Sequence, residues 1–167
     1  MKTIHLIRHA KSSWDDVLLL DIERPLNHRG INSCMIMASH IHEAGCDFTH
    51  VFCSPAVRAQ STIELIADSL VEMNINWQVE EELYTFDSNN LLHWCQSLDD
   101  SLSEIVIVAH NPALTDFCNE LSGADIQNIP TCGYVQLSSA SCYKWQEIVD
   151  MRFELSAFLR PKDMETI

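Results

Sequence analysis

Three segments of this chain share one design: a short apolar run, polar residues at its end, then a loop or helical spacing. They cover residues 4–12, 51–58 and 107–112. Their polar ends read Arg8-His9-Ala10-Lys11-Ser12, Ser54-Pro55-Ala56-Val57-Arg58 and His110-Asn111-Pro112. Short apolar strands that alternate with helices build an α/β domain around a mostly parallel sheet. Right-handed crossovers then put helices on both faces, a three-layer arrangement.

The rest of the chain supplies the alternation. Residues 3–7 are β-rich. From Asn27 onward Ile31, Cys34, Met35, Ala38 and Ile41 fall at helical spacing, and Gly45 is a natural stop. Residues 50–53 form a second strand. Ser54 as N-cap and Pro55 in the first turn then open a helix carrying Ala59, Ile63, Ile66 and Leu70. Residues 76–79 read as a third strand, and Ser88 caps a helix with Leu91, Leu92, Cys95 and Leu98. Residues 105–109 are continuously apolar, as expected of a strand covered on both faces. Asn111-Pro112 repeats the cap-and-proline device ahead of Leu114, Phe117, Cys118 and Leu121, with Gly123 as the stop. Residues 133–138 and 153–159 are the later strands. With 167 residues the chain has enough length for one core and too little for two, so residues 1–167 read as a single domain.

In an open parallel sheet, ligands gather outside the carboxyl ends of the strands. The expected helix N-termini near Pro55 and Pro112 add free N–H groups and partial positive charge there. Arg8, His9, Arg58 and His110 would therefore converge on one anion. Taken one at a time, either histidine is more often a structural or surface residue.

Charge sharpens the point. The chain carries a formal net charge of −14, which excludes nucleic acid as a partner, since that binding rests on a basic face. Six of its ten Lys and Arg residues nevertheless lie in the first 58 positions, and none falls between residues 59 and 143. Such clustering in so acidic a chain is either one local anion site or chance, and the motifs must decide.

Together these segments resemble a family. Arg8-His9 ending a strand, followed by Ser12 and Trp14, is similar to the first signature of the histidine phosphatase superfamily, the branch that includes phosphoglycerate mutases. Pro25-Leu26-Asn27 with Gly30 resembles its helix entry. Ser54-Pro55-x-x-Arg58-Ala59-x-x-Thr62 resembles its second motif, and His110-Asn111-Pro112 its third. The ordered set covers the chain to about residue 115 and most resembles the small SixA-like phosphohistidine phosphatases.

The resemblance implies a phosphoglycerate mutase-like fold and a chemistry. His9 would be the nucleophile and carry a phosphoryl group. Arg8 and Arg58 would clamp the phosphoryl oxygens, and a protonated His110 would stabilise charge in flight. Ser12, Arg24 and Asn111 would line the substrate site. No cofactor is implied. His5 and His9 do share an HxxxH spacing, but a strand carries them and no third ligand is in view, so no metal is expected. Two carboxylates are candidates for the general acid. Glu82 lies in the acidic run 80–82, and such a run at a strand end is more often a solvated edge. Asp15 either faces the phosphate in protonated form or points to solvent with Asp16.

The reading is therefore a cytoplasmic, metal-independent phosphatase of protein phosphohistidine, whose partner is a phosphotransfer domain or carrier. The alternatives are a small-molecule phosphomonoesterase of the same fold and a non-catalytic anion-binding module. No apolar run nears the roughly 20 residues of a membrane span. The first eleven residues carry Lys2, Arg8, His9 and Lys11, unlike a secretory leader. Seven cysteines without a CxxC pair read as reduced and buried.

Overall fold

A computed structural model describes residues 1–165. Strands β1 (Lys2–Arg8), β2 (Val51–Cys53), β3 (Trp77–Val79), β4 (Glu104–Ala109), β5 (Tyr134–Ser139) and β6 (Glu154–Leu159) form one sheet in the order β3-β2-β4-β1-β5-β6. The first four pair in parallel, and β5 runs against both β1 and β6. The expected α/β class with a mostly parallel sheet is what forms.

Helices cover both faces. Helices α3 (Ser88–Gln96) and α4 (Ala113–Ser122) bring Leu91, Trp94, Leu114 and Phe117 against Ile4, Leu6, Ile105 and Ile107. On the other face α1 (His28–Glu43) and α2 (Val57–Ser69) bring Met37, Ile41, Ile63 and Ile66 against Ile7, Val106 and Val108. Successive residues of β4 thus feed opposite cores, which is why its run is apolar throughout. All seven cysteines are free and buried in these cores. The chain closes with a short helix, α5 (Pro161–Met164), after β6. No helix among the described residues is long and apolar enough to cross a membrane.

Helix boundaries follow local chemistry, with shifts of one or two residues. Asn27 caps α1 as expected, its side chain accepting from the Gly30 amide. Gly45 and Gly123, the expected stops, both have positive φ (111° and 70°). Three caps differ from expectation. Helix α2 starts at Val57, so Ser54 lies two residues before its cap. Asp87, with the stronger acceptor, caps α3 in place of Ser88. Helix α4 starts at Ala113, and Asn111 Oδ1 reaches forward to accept from the Thr115 amide.

Candidate active site

Strand register assembles the site. In the β1–β4 pairing Arg8 stands opposite Ala109, so the next residues, His9 and His110, leave the sheet side by side. The His9 amide donates to the Ala109 carbonyl, and the two imidazole centroids are 5.1 Å apart. The Ser54 amide donates to the Val108 carbonyl, which puts the end of β2 beside His110. Helix α2 then delivers Arg58 from its first turn. The four residues expected at one anion site do come together at the carboxyl ends of adjacent strands.

His9 is buried, and its tautomer follows from its neighbours. Nδ1 lies 2.7 Å from the Ala10 carbonyl oxygen, which can only accept, so Nδ1 carries the proton. Nε2 keeps its lone pair and receives the Nε–H of Arg58 at 3.4 Å. Burial pushes the pKa of His9 down to about 4. The Ala10 hydrogen bond opposes the shift, while Arg58, Arg8 and Arg24 add to it. At neutral pH the ring is uncharged with a lone pair at Nε2, the state a nucleophilic histidine needs.

His110 is fully buried, and its Nε2 pairs with Ser54 Oγ at 2.7 Å. Burial, then the proximity of His9 and Arg58, lowers its pKa to about 3. Its Nδ1 has no partner among the described residues, and neither does Nε of Arg8. Unpaired buried nitrogens of this kind are costly unless a ligand takes them. Arg8 is fixed at its other end, where Nη1 donates to the Ile129 carbonyl at 2.9 Å. The rings of Tyr84 and Phe86 flank His110, at 5.4 and 5.6 Å between centroids.

Asp21 and Ser54 are the site residues that sequence reasoning missed. Asp21 accepts from Arg58 Nη2 at 2.9 Å, Arg24 Nη1 at 3.1 Å and the Tyr84 hydroxyl at 2.6 Å. Burial alone would raise its pKa; the Tyr84 and Arg58 hydrogen bonds and the charge of Arg58 outweigh that and hold it at about 2. Its one sequence signal is its place three residues before Arg24, which is no signal by itself. Ser54 lies inside a motif, where its place ahead of Pro55 points only to a helix cap. Its hydroxyl does accept from the Ala56 amide, and it also serves His110.

The remaining candidates divide. Arg24 is buried at the site: its Nη2 donates to Ser12 Oγ, and its guanidinium carbon lies 3.2 Å from the Trp14 ring centroid. Asn111 Nδ2 bonds the Ile129 carbonyl, the same oxygen that holds Arg8. Glu82 and Asp15 are not brought in; both are exposed, on a 3-10 turn after β3 and on the loop after β1. His5 is a core residue bonded to Tyr134 and Glu104, roughly 13 Å along the strand from His9 at about 3.3 Å per residue. Among the described residues no group of three or more His, Cys, Asp or Glu is placed to hold a metal ion.

Residues 4–91 match the model of the histidine phosphatase superfamily, branch 1. An uncharacterized protein of Mycobacterium leprae (strain TN) is 26% identical over 168 residues, covering 93% of this chain and 100% of that one. A candidate phosphohistidine phosphatase SixA from Agrobacterium tumefaciens superposes with a TM-score of 0.78 at 23% identity, over 96% of this chain and 98% of that one. The protein histidine phosphatase SixA complexed with tungstate gives 0.79 at 18% identity, over 98% and 99%. At these identities the solved structures establish the fold, the phosphoglycerate mutase-like one.

Proposed function

The chain belongs to the histidine phosphatase superfamily, branch 1, and from that premise we propose that it hydrolyses protein phosphohistidine through a phosphoryl group carried on His9. Nε2 of His9 attacks phosphorus, and the bond from phosphorus to the substrate imidazole breaks as the new N–P bond forms. Arg8, Arg58 and His110 hold the three equatorial oxygens, with Arg24, Ser12 and Asn111 supporting that cradle. The substrate imidazole leaves with a proton taken from solvent. Water then attacks phosphorus as the His9 Nε2–P bond breaks; the ring, still protonated at Nδ1, leaves neutral, the water's proton passes to the inorganic phosphate or to solvent, and no metal takes part.

One observation carries the choice of substrate. The site's carboxylate, Asp21, is ionised, with its pKa near 2, and is tied to two arginines and Tyr84. It has no proton to give, and among the described residues the carboxylates of Glu82 and Asp15 are exposed and bond no site residue. A leaving alkoxide needs a general acid. A phosphorylated imidazole does not, because its ring nitrogen is protonated near neutral pH and departs neutral. SixA binding tungstate, an oxyanion, supports the anion cradle.

Parallel incubation with a phosphohistidine protein, a phosphoserine peptide, a sugar phosphate and an aryl phosphate tests this reading. The phosphohistidine protein and the aryl phosphate, whose leaving groups need little protonation, should be turned over and phosphoserine should not. Efficient hydrolysis of one sugar phosphate with phosphohistidine protein left intact would favour a small-molecule phosphomonoesterase instead. Inertness toward all of them, with oxyanion binding retained, would favour a non-catalytic module.

A further inference from the structure

Seven of the ten lysines and arginines lie in two neighbouring clusters. Arg8, Arg24 and Arg58 surround the histidines. Lys11, Arg29, Arg160 and Lys162 line a separate cavity of about 360 Å³, whose lining among the described residues includes one carboxylate, Glu165. The two clusters share a wall. Lys11 follows Ala10, whose carbonyl fixes His9. Asn128 and Pro130, also in the cavity lining, flank Ile129, whose carbonyl holds Arg8, and Asn128 accepts from Asn111.

The clusters differ in construction. Arg58 is 3% exposed and locked by Asp21, a rigid fork suited to one phosphoryl group. Lys11, Arg29 and Lys162 are exposed and, among the described residues, form no salt bridge; Arg160 is paired with Asp163. A single anion gains little from such solvated charges. An array of carboxylates on a protein surface gains from all of them at once.

We propose that this cavity is the docking site for an acidic patch, Asp and Glu side chains flanking the phosphohistidine, on the substrate protein. The inference deepens the phosphohistidine reading and rests on it for what enters the adjoining site. The docking itself is separable from turnover.

Calorimetric titration of the full chain with an unphosphorylated histidine-phosphotransfer domain of net negative charge tests the docking. The variant is R29E/K162E; Arg29 lies in the first turn of α1, where a Glu suits the helix dipole. Affinity of the wild type should fall as salt rises, and the double variant should bind about tenfold or more weakly at low salt. Its kcat/KM on aryl phosphate should stay within about twofold of wild type, since a rim charge does not touch the reacting atoms. Unchanged affinity in the variant, no binding by the wild type, or a matching fall in aryl phosphate turnover would overturn the proposal. The phosphorylated domain judges the parent reading separately. If the wild type binds it without dephosphorylating it, while R29E/K162E loses the binding, the substrate reading fails and the docking site stands.

Discussion

Asp21 grips Arg58 twice: its backbone carbonyl accepts from Nη1 at 2.6 Å and its carboxylate from Nη2 at 2.9 Å. With both ends of the fork held, the Nε–H edge is left facing His9 Nε2. Asp21 therefore positions the Arg58 guanidinium, and its ionised state leaves it no proton to give. Asp21→Asn should keep the fold and lower kcat/KM about tenfold, roughly 1.4 kcal/mol, the scale of one hydrogen bond to a charged group. The shape of the pH–rate profile should not change. Loss of a whole limb of that profile in the variant would show that Asp21 supplies a proton after all.

His9 should carry the phosphoryl group during turnover. Denaturing the working enzyme in alkali should trap a base-stable, acid-labile modification on His9, read by peptide mass spectrometry. His9→Ala should lose both the modification and the activity. Normal turnover by that variant excludes the covalent route.

The anion cradle should work without a metal. Arg8→Ala, Arg58→Ala and His110→Ala should each slow the chemical step by about 10² or more in single-turnover measurements, the cost of losing one preorganised donor. Activity should survive prolonged chelation. Inactivation by chelator with rescue by a divalent ion would replace the three-cation account.

Much of this was legible in the sequence, for identifiable reasons. Strands that feed two cores at once are apolar throughout, so residues 105–109 announced β4. Polar residues that end such strands have little use in a core, so Arg8-His9 and His110 announced the site. What stayed hidden depends on approach in space. Asp21 meets Arg58 across 37 positions and Tyr84 across 63, and neither distance leaves a periodic trace. Ser54 was misassigned because one hydroxyl serves two partners and only the local one, the Ala56 amide, follows from sequence. The basic cavity joins Lys11 and Arg29 to Arg160 and Lys162, from opposite ends of the chain.

Gly30 shows the same limit. A Cβ there would fall against the backbone of Lys11, within 2.9 Å of its amide nitrogen and closer still to its carbonyl oxygen. Backbone cannot yield as a flexible side chain does, and Lys11 lies two residues from His9. Gly30→Ala should lower kcat on aryl phosphate and lower Tm as well, since overpacking of this kind costs about 1–3 kcal/mol. A variant with unaltered kcat and Tm would mean that α1 can shift without disturbing His9.

The two buried site histidines, together with buried His5, whose pKa burial also lowers, shape the pH behaviour. Their pKa values, about 4 for His9 and about 3 for His110, lie below the 6.5 of an unfolded chain. Between pH 6.5 and about 4 the unfolded state therefore binds more protons than the folded one, and stability falls as pH falls through that window. Tm measured by calorimetry should decline there, and His110→Asn, which removes one such group, should make the decline shallower. Catalysis should behave differently. Free-enzyme His9 is already deprotonated above about pH 4, so kcat/KM, corrected for substrate ionisation, should show no acid limb near 6.5. Binding changes the balance again. A dianionic oxyanion beside His110 favours the imidazolium, so tungstate binding near pH 7 should take up protons, seen as an enthalpy that varies with the ionisation enthalpy of the buffer. The uptake should diminish in His110→Asn. An unchanged uptake in that variant would place the proton on the ligand or on His9 and remove His110 from its role as a charged partner of the phosphoryl group.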